Sequence, residues 1–216
     1  MEDGLAKDAS KVLKDVWETA VCRNGYNFWY EMPDEVYYFY HIAHMAKHFE
    51  NGGCGIRPFI DLWILDNLSK AENKKRGELL KKGGLLKFAK AARKLSRIWL
   101  KNEEYDALSK QMEDYILRGG VYGNTENRVV VQQQKQGGRI RYAFSRICIP
   151  YETIKFYYPV LQKYRWLTPF MQIRRWCKLI FGGYLKRSAN ELKLNMKVSN
   201  ARALAVQELL NNIGLR

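Results

Sequence analysis

The sequence predicts an all-α protein, an irregular multi-helix bundle of about eight or more helices. Apolar residues recur three and four positions apart in one segment after another, the period of helices with one buried face. Glycine, asparagine and proline fall between those segments, where helices stop and start. Strand-like character is confined to residues 21–32 and 128–134. With 216 residues, 47% of them hydrophobic, the chain can bury a sizeable core.

Residues 5–20 read as an amphipathic helix with Leu5, Val12, Leu13, Val16, Trp17 and Ala20 turned inward. Residues 21–32 connect onward through Tyr26, Phe28, Trp29 and Tyr30, with room for one short strand. The next helix spans 33–50. Pro33 suits its first position, Asp34 and Glu35 complement the dipole, and Asn51-Gly52-Gly53 ends it. A second helix starts at Pro58 and runs through FIDLWILDNL. A short Gly-rich turn between two helices favours an antiparallel pair.

Residues 69–84 are polar, basic and glycine-punctuated, and read as a linker around a short helix. In 85–101, Leu85, Phe88, Ala89, Ala92, Leu95, Ile98 and Trp99 keep helical register. Asn102 is expected to cap the next helix, with Glu103 and Glu104 in its first turn and Gly119-Gly120 after Arg118 at its end. In Arg128–Gln134 three valines favour strand and the neighbours favour helix; the reading adopted is helix. Pro150, Pro159 and Pro169 divide the next stretch of chain into short helices, the last a basic amphipathic one ending at Phe181. Ser199 caps a final helix to Asn212, and Gly214 stands just beyond it.

Charge divides the chain. Residues 1–68 carry 6 Lys/Arg against 11 Asp/Glu, and residues 69–216 carry 31 against 11. The expected organisation is an acidic helical segment 1–68, a basic linker 69–84 and a basic helical segment 85–216, packed with the first as one domain. The basic part fits an anionic partner, or an ordinary solvated lysine-rich surface. The four cysteines, Cys22, Cys54, Cys148 and Cys177, have no CxxC spacing. The opening MEDGLAKDAS does not read as a secretory signal, and no apolar run reaches 18 residues. These features lead to the expectation of a cytoplasmic protein with reduced thiols and no transmembrane segment.

The chemistry gathers in 33–61. All three histidines, His41, His44 and His48, lie there with Lys47, Arg57 and Asp61. On a helical wheel Val36, Phe39, Ile42, Ala43, Ala46 and Phe49 share the core side. Tyr37, Tyr40, His41, His44, Lys47 and His48 share the other. Asp61 interrupts an apolar run, so it is expected to have a partner, either Arg57 four residues earlier or a histidine. Two readings stand: a pocket built from these residues, or a buried carboxylate anchoring two helices. His44 and His48 have the spacing of zinc ligands, but Met45 stands where HExxH needs glutamate. Cys54 in its glycine turn is a weak nucleophile candidate, and no GxSxG, P-loop or GxGxxG occurs.

Three segments, HIAHMAKHF…GGCGIRPFIDLWIL, GGVYGNTENR and IPYETIKFYYPVLQKYRWLTPFMQIRRW, together resemble the later half of an uncharacterised bacterial nucleotidyltransferase family. The resemblance covers nearly the whole chain. It implies transfer of a nucleoside monophosphate from an NTP to an acceptor, with Mg²⁺ held by a D-x-D-type carboxylate pair located after a Gly-Gly/Ser turn. That pair is missing here: Gly52-Gly53 is followed by Asp61, and the next alternate position is Trp63. The chain is therefore expected to be the helical portion alone, a truncation or one half of a split protein, and inactive by itself. It would have no cofactor of its own, with Mg²⁺ entering on a separate core chain. His44, Lys47, His48, Arg57 and Asp61 are the implied substrate-binding residues, facing an NTP or nucleotide-linked acceptor.

The alternative is a basic helical binding module for nucleic acid or an anionic membrane surface. Lys163–Arg187 holds seven Lys/Arg and no acid, interleaved with Trp166, Phe170, Trp176, Ile180 and Phe181. A packing helix with a basic outer face accounts for the same pattern.

Overall fold

A helix shorter than about a dozen residues is marginal unless an apolar face buries it, and the N-terminal region obeys this rule. The computed structural model describes residues 8–68, 73–119, 125–135, 137–181 and 200–216. Where one helix over 5–20 is expected, there are two of four residues, α1 (Ala9–Val12) and α2 (Val16–Thr19). Ala9 is buried, but Trp17, expected inward, is 68% exposed. Without a continuous buried stripe the helix breaks at Leu13. Residues 5–7 lie outside the described residues.

The connector forms two strands rather than one, because an isolated strand leaves its backbone unpaired. β1 (Val21–Cys22) pairs antiparallel with β2 (Tyr30–Glu31), Val21 opposite Glu31 and Cys22 opposite Tyr30. The Arg23 guanidinium lies over the Trp29 ring, 4.6 Å from its centroid.

The rest is helical, as predicted. Helix α3 is Asp34–Phe49, with Pro33 as its extended N-cap. Its buried side is Tyr38, Phe39, Ile42, Ala43, Met45, Ala46 and Phe49. Tyr38 and Met45 widen the predicted stripe, and Val36 is only half-buried. Helix α4 is Arg57–Leu68, α5 is Asn73–Lys82, α6 is Leu86–Lys101 and α7 is Ala107–Gly119. Helix α6 is central and packs against α3, α4, α5 and α7. Phe88, Ala89, Ala92, Leu95 and Ile98 form its buried stripe. Within that stripe Ser96 donates from Oγ to the Phe59 carbonyl of α4 at 2.8 Å. The basic stretch expected as a linker contributes α5, which packs on α3 and buries Arg76 and Leu80.

Two element ends differ from expectation. Asn102 does not begin α7. It closes α6 in the left-handed conformation, φ 56°, a conformation asparagine tolerates. The cap of α7 is Asp106, whose Oδ1 accepts from the Ser109 backbone N–H at 2.7 Å and from its hydroxyl at 2.6 Å. Glu103 lies outside the helix and pairs with Arg97 at 2.9 Å.

The chain divides into two units, 1–128 with 204–216, and 129–203. The division falls inside α8 (Thr125–Lys135), the ambiguous valine segment, which is helical. The second unit continues with α9 (Arg139–Ile147), α10 (Tyr151–Tyr157), α11 (Val160–Lys163), a 3₁₀ turn at Arg165–Leu167 and α12 (Thr168–Phe181). Pro150 and Pro159 stand just before α10 and α11, as the breaks require. Helix α12 holds the end of α9. Arg175 donates to the Arg146 and Ile147 carbonyls at 3.0 and 2.9 Å, and Trp176 Nε1 donates to the Ile147 carbonyl at 2.8 Å. Helix α13 (Asn200–Asn212) buries Val206, Leu209 and Leu210. Its expected cap, Ser199, lies outside the described residues.

Candidate functional site

The histidine helix is held in place by its own chain turn. A helix leaves its last carbonyls without intrahelical donors. At the end of α3 a distant side chain supplies one, the Tyr115 hydroxyl donating to the Phe49 carbonyl at 2.9 Å, and in the turn beyond it Asn127 Nδ2 donates to the Gly52 carbonyl at 3.3 Å. Gly52 has φ +118°, and a Cβ there would stand 3.0 Å from the Arg128 backbone nitrogen. The turn therefore needs glycine both for its conformation and for its close approach.

His41 Nε2 donates to the Pro58 carbonyl at 2.9 Å, which joins α3 to the first turn of α4. His44 and His48 lie one turn apart with Nε2 atoms 3.0 Å from each other and ring centroids 4.5 Å apart. One ring must donate and the other accept, so the contact selects a state with at least one neutral imidazole. Partial burial lowers the His44 pKa, and the charges of His48, Lys47 and His41 lower it further. Lys47 is half-buried and Arg57 exposed, and neither makes an ion pair with a described residue.

Asp61 departs from expectation. It is half-buried, and it makes no hydrogen bond or ion pair with a described residue. Neither Arg57 nor a histidine is its partner. Partial exposure lets water satisfy the carboxylate, so no partner is required. The carboxylate that is enclosed and paired is Asp66, further along the same helix. Arg93 Nε donates to it at 2.7 Å and Arg76 Nη1 lies 3.8 Å away. Sequence reasoning missed it because its cations come from α5, read as linker, and from α6, distant in the chain. The available signal was a second aspartate in the same apolar run.

The Cys54 thiol is buried, and burial pushes its pKa up to about 12, so it is no ready nucleophile. All four cysteines are free. Among the described residues no three His, Cys, Asp or Glu side chains gather as a metal-binding group. Comparison with family models, curated proteins and solved structures finds no match.

Proposed function

We propose that the outer side of α3 and the Arg57 end of α4 form the nucleotide-facing surface of a nucleotidyltransferase-like protein. The observation that carries the reading is the His41–Pro58 hydrogen bond, which sets the histidine stripe beside the start of α4. His44, Lys47 and His48 continue that stripe, and Lys47 and Arg57 carry no protein counter-ion among the described residues. Unpaired cations beside imidazole donors suit phosphate oxygens, and arginine can fork onto them. Asp61, with no partner among the described residues, can accept from a ribose hydroxyl or an acceptor group. The D-x-D-type carboxylate pair that the resemblance implies does not follow Gly52-Gly53 in the sequence, so no chemical step is assigned to this chain. The ligand is an NTP or a nucleotide-linked acceptor.

ATP titration followed by NMR tests the reading. Exposed charge pairs are worth about 1 kcal/mol or less, so binding in the high-micromolar to millimolar range is expected. Lys47→Ala and Arg57→Ala should each weaken it by up to about fivefold at unchanged thermal stability. Equal affinity in wild type and both variants removes the proposal.

A second reading concerns the other unit. Described helices α9–α12 expose Ile140, Phe144, Phe156, Trp166, Phe170 and Phe181 amid many cations. That combination favours an anionic membrane surface as the partner of residues 129–203.

A further inference from the structure

Away from the histidine stripe, α3, α5 and α6 enclose a small cavity of about 80 Å³. Tyr38, Arg76, Gly77, Lys90 and Arg93 line it with Asn73 and apolar residues. A single water needs only about 10–15 Å³ of such space, so the cavity has room for something larger.

We infer that this cavity is a binding site for one phosphoryl-sized oxyanion. Charge around the cavity is unbalanced. Three cations, Arg76, Lys90 and Arg93, line the space, and among the described residues Asp66 is the one carboxylate paired with any of them. Asp66 bonds closely to Arg93 but stands 3.8 Å from Arg76, too far for a hydrogen bond. Arg76 is only 4% exposed. A buried guanidinium with one distant counter-ion is under-compensated, and an anion restores the balance.

Hydrogen bonding at the cavity wall is incomplete as well. Arg76 Nε, the Tyr38 hydroxyl and Asp66 Oδ1 are buried and have no hydrogen-bond partner among the described residues, while Arg76 Nη2 donates to the Leu65 carbonyl at 3.3 Å. The Arg76 guanidinium also lies over the Tyr38 ring, 4.2 Å from its centroid, which fixes both groups at the cavity wall. Burial and the Asp66 charge raise the Tyr38 pKa, so its hydroxyl keeps its proton and can donate. Arginine, tyrosine and lysine donors converging on one small space match a tetrahedral oxyanion.

Gly77 lines the same space. It lies inside α5, where glycine is the poorest helix former after proline. A Cβ at this position would meet nothing within 4 Å. Packing therefore does not require glycine, and a long side chain at this position would extend into the cavity. This site is distinct from the α3 surface above: Tyr38 and Lys47 are on one helix, half a turn out of phase.

The test is thermal melting of the full chain titrated with inorganic phosphate, at ionic strength held constant with chloride. A saturable rise in Tm is expected. Gly77→Leu should abolish the rise without lowering the phosphate-free Tm. Lys90→Gln should weaken the apparent affinity about threefold to tenfold at unchanged phosphate-free Tm. Lys47→Ala should leave the rise intact, which separates this site from the nucleotide surface. Phenyl phosphate in place of phosphate identifies the source: tighter binding of the free ion points to phosphate itself, and tighter binding of the ester points to the end of a larger molecule. No rise beyond the chloride control overturns the inference. So does a rise that survives both Gly77→Leu and Lys90→Gln.

Discussion

A histidine whose pKa falls on folding binds fewer protons in the native state than in the unfolded chain. Stability then rises with pH between the lowered native value and the ordinary 6.5. His44 is such a group. Its penalty is fully present below the native pKa and gone above 6.5. Denaturant unfolding between about pH 5 and 7.5 should show stability climbing with pH, and His44→Gln should flatten that slope. An unchanged slope would mean that His44 does not titrate against its neighbours. An anion on the α3 surface should act in the opposite sense, raising the His44 pKa and taking up a proton. ATP should therefore bind more tightly near pH 6 than near pH 8. At this scale the histidine stripe was legible, because its spacing alone places His41, His44 and His48 together. The choice between Asp61 and Asp66 was not. Both interrupt the same apolar run, and only the tertiary position of Arg93 decides which is enclosed.

Helix interiors were easier to read than helix ends. Helices α3, α4 and α6 follow from apolar period, since buried stripes such as Phe88, Ala92 and Leu95 repeat over several turns. Ends depend on single side chains, and several nearby residues compete for each role. Asn102 and Asp106 both suit a cap, and both stand between α6 and α7. The chain uses Asn102 to leave one helix and Asp106 to enter the next. Asp106 further receives the Lys94 ammonium at 2.5 Å. Hydrogen bonds from Lys94 and Ser109 hold its pKa well below the usual carboxylate range. The stability it contributes is present above its ordinary value of 3.8 and is lost as pH falls through the native value. Asp106→Ala should lower stability by about 1 kcal/mol at neutral pH through loss of the cap. Asp106→Asn keeps a capping oxygen but not the charge. It should fall between the two near neutral pH and lose part of the acid-side slope. Equal melts for all three proteins would dismiss Asp106 as the cap. Helix α5 was hidden for a different reason. Its sequence, NKKRGELLKK, is strongly polar, and it is held by the burial of Arg76 and Leu80 rather than by an apolar stripe.

At the scale of the molecule, charge tracks the structural units more closely than it tracks the order of the chain. Residues 129–203 carry 15 Lys/Arg against 2 Asp/Glu, whereas the remainder carries 22 against 20. Nearly all of the net charge of +15 therefore belongs to one unit. That unit also exposes Ile140 and Phe181, each at 86%. Both lipid and nucleic acid attract such a charge, but exposed Ile140, Ile173 and Ile180 favour lipid. Bases stack on aromatic faces and gain little from aliphatic side chains, whereas a membrane interface takes up both. No described helix is long and apolar enough to cross a membrane, so the contact proposed is with the surface. Arg175 and Trp176 are excluded from this role, because they hold the end of α9. Trp166 and Phe170 are available: their rings stand edge-on with centroids 6.3 Å apart, and both side chains are exposed. Co-sedimentation with vesicles containing phosphatidylserine should be strong at low salt and weaken steeply as salt rises, each engaged cation contributing about 1 kcal/mol. Trp166→Ala and Phe170→Ala should reduce binding several-fold without shifting the melting temperature. Binding to neutral vesicles alone, or unchanged binding in both variants, would contradict a basic aromatic membrane face. Salt-sensitive binding to RNA without vesicle binding would assign the same charge to nucleic acid instead.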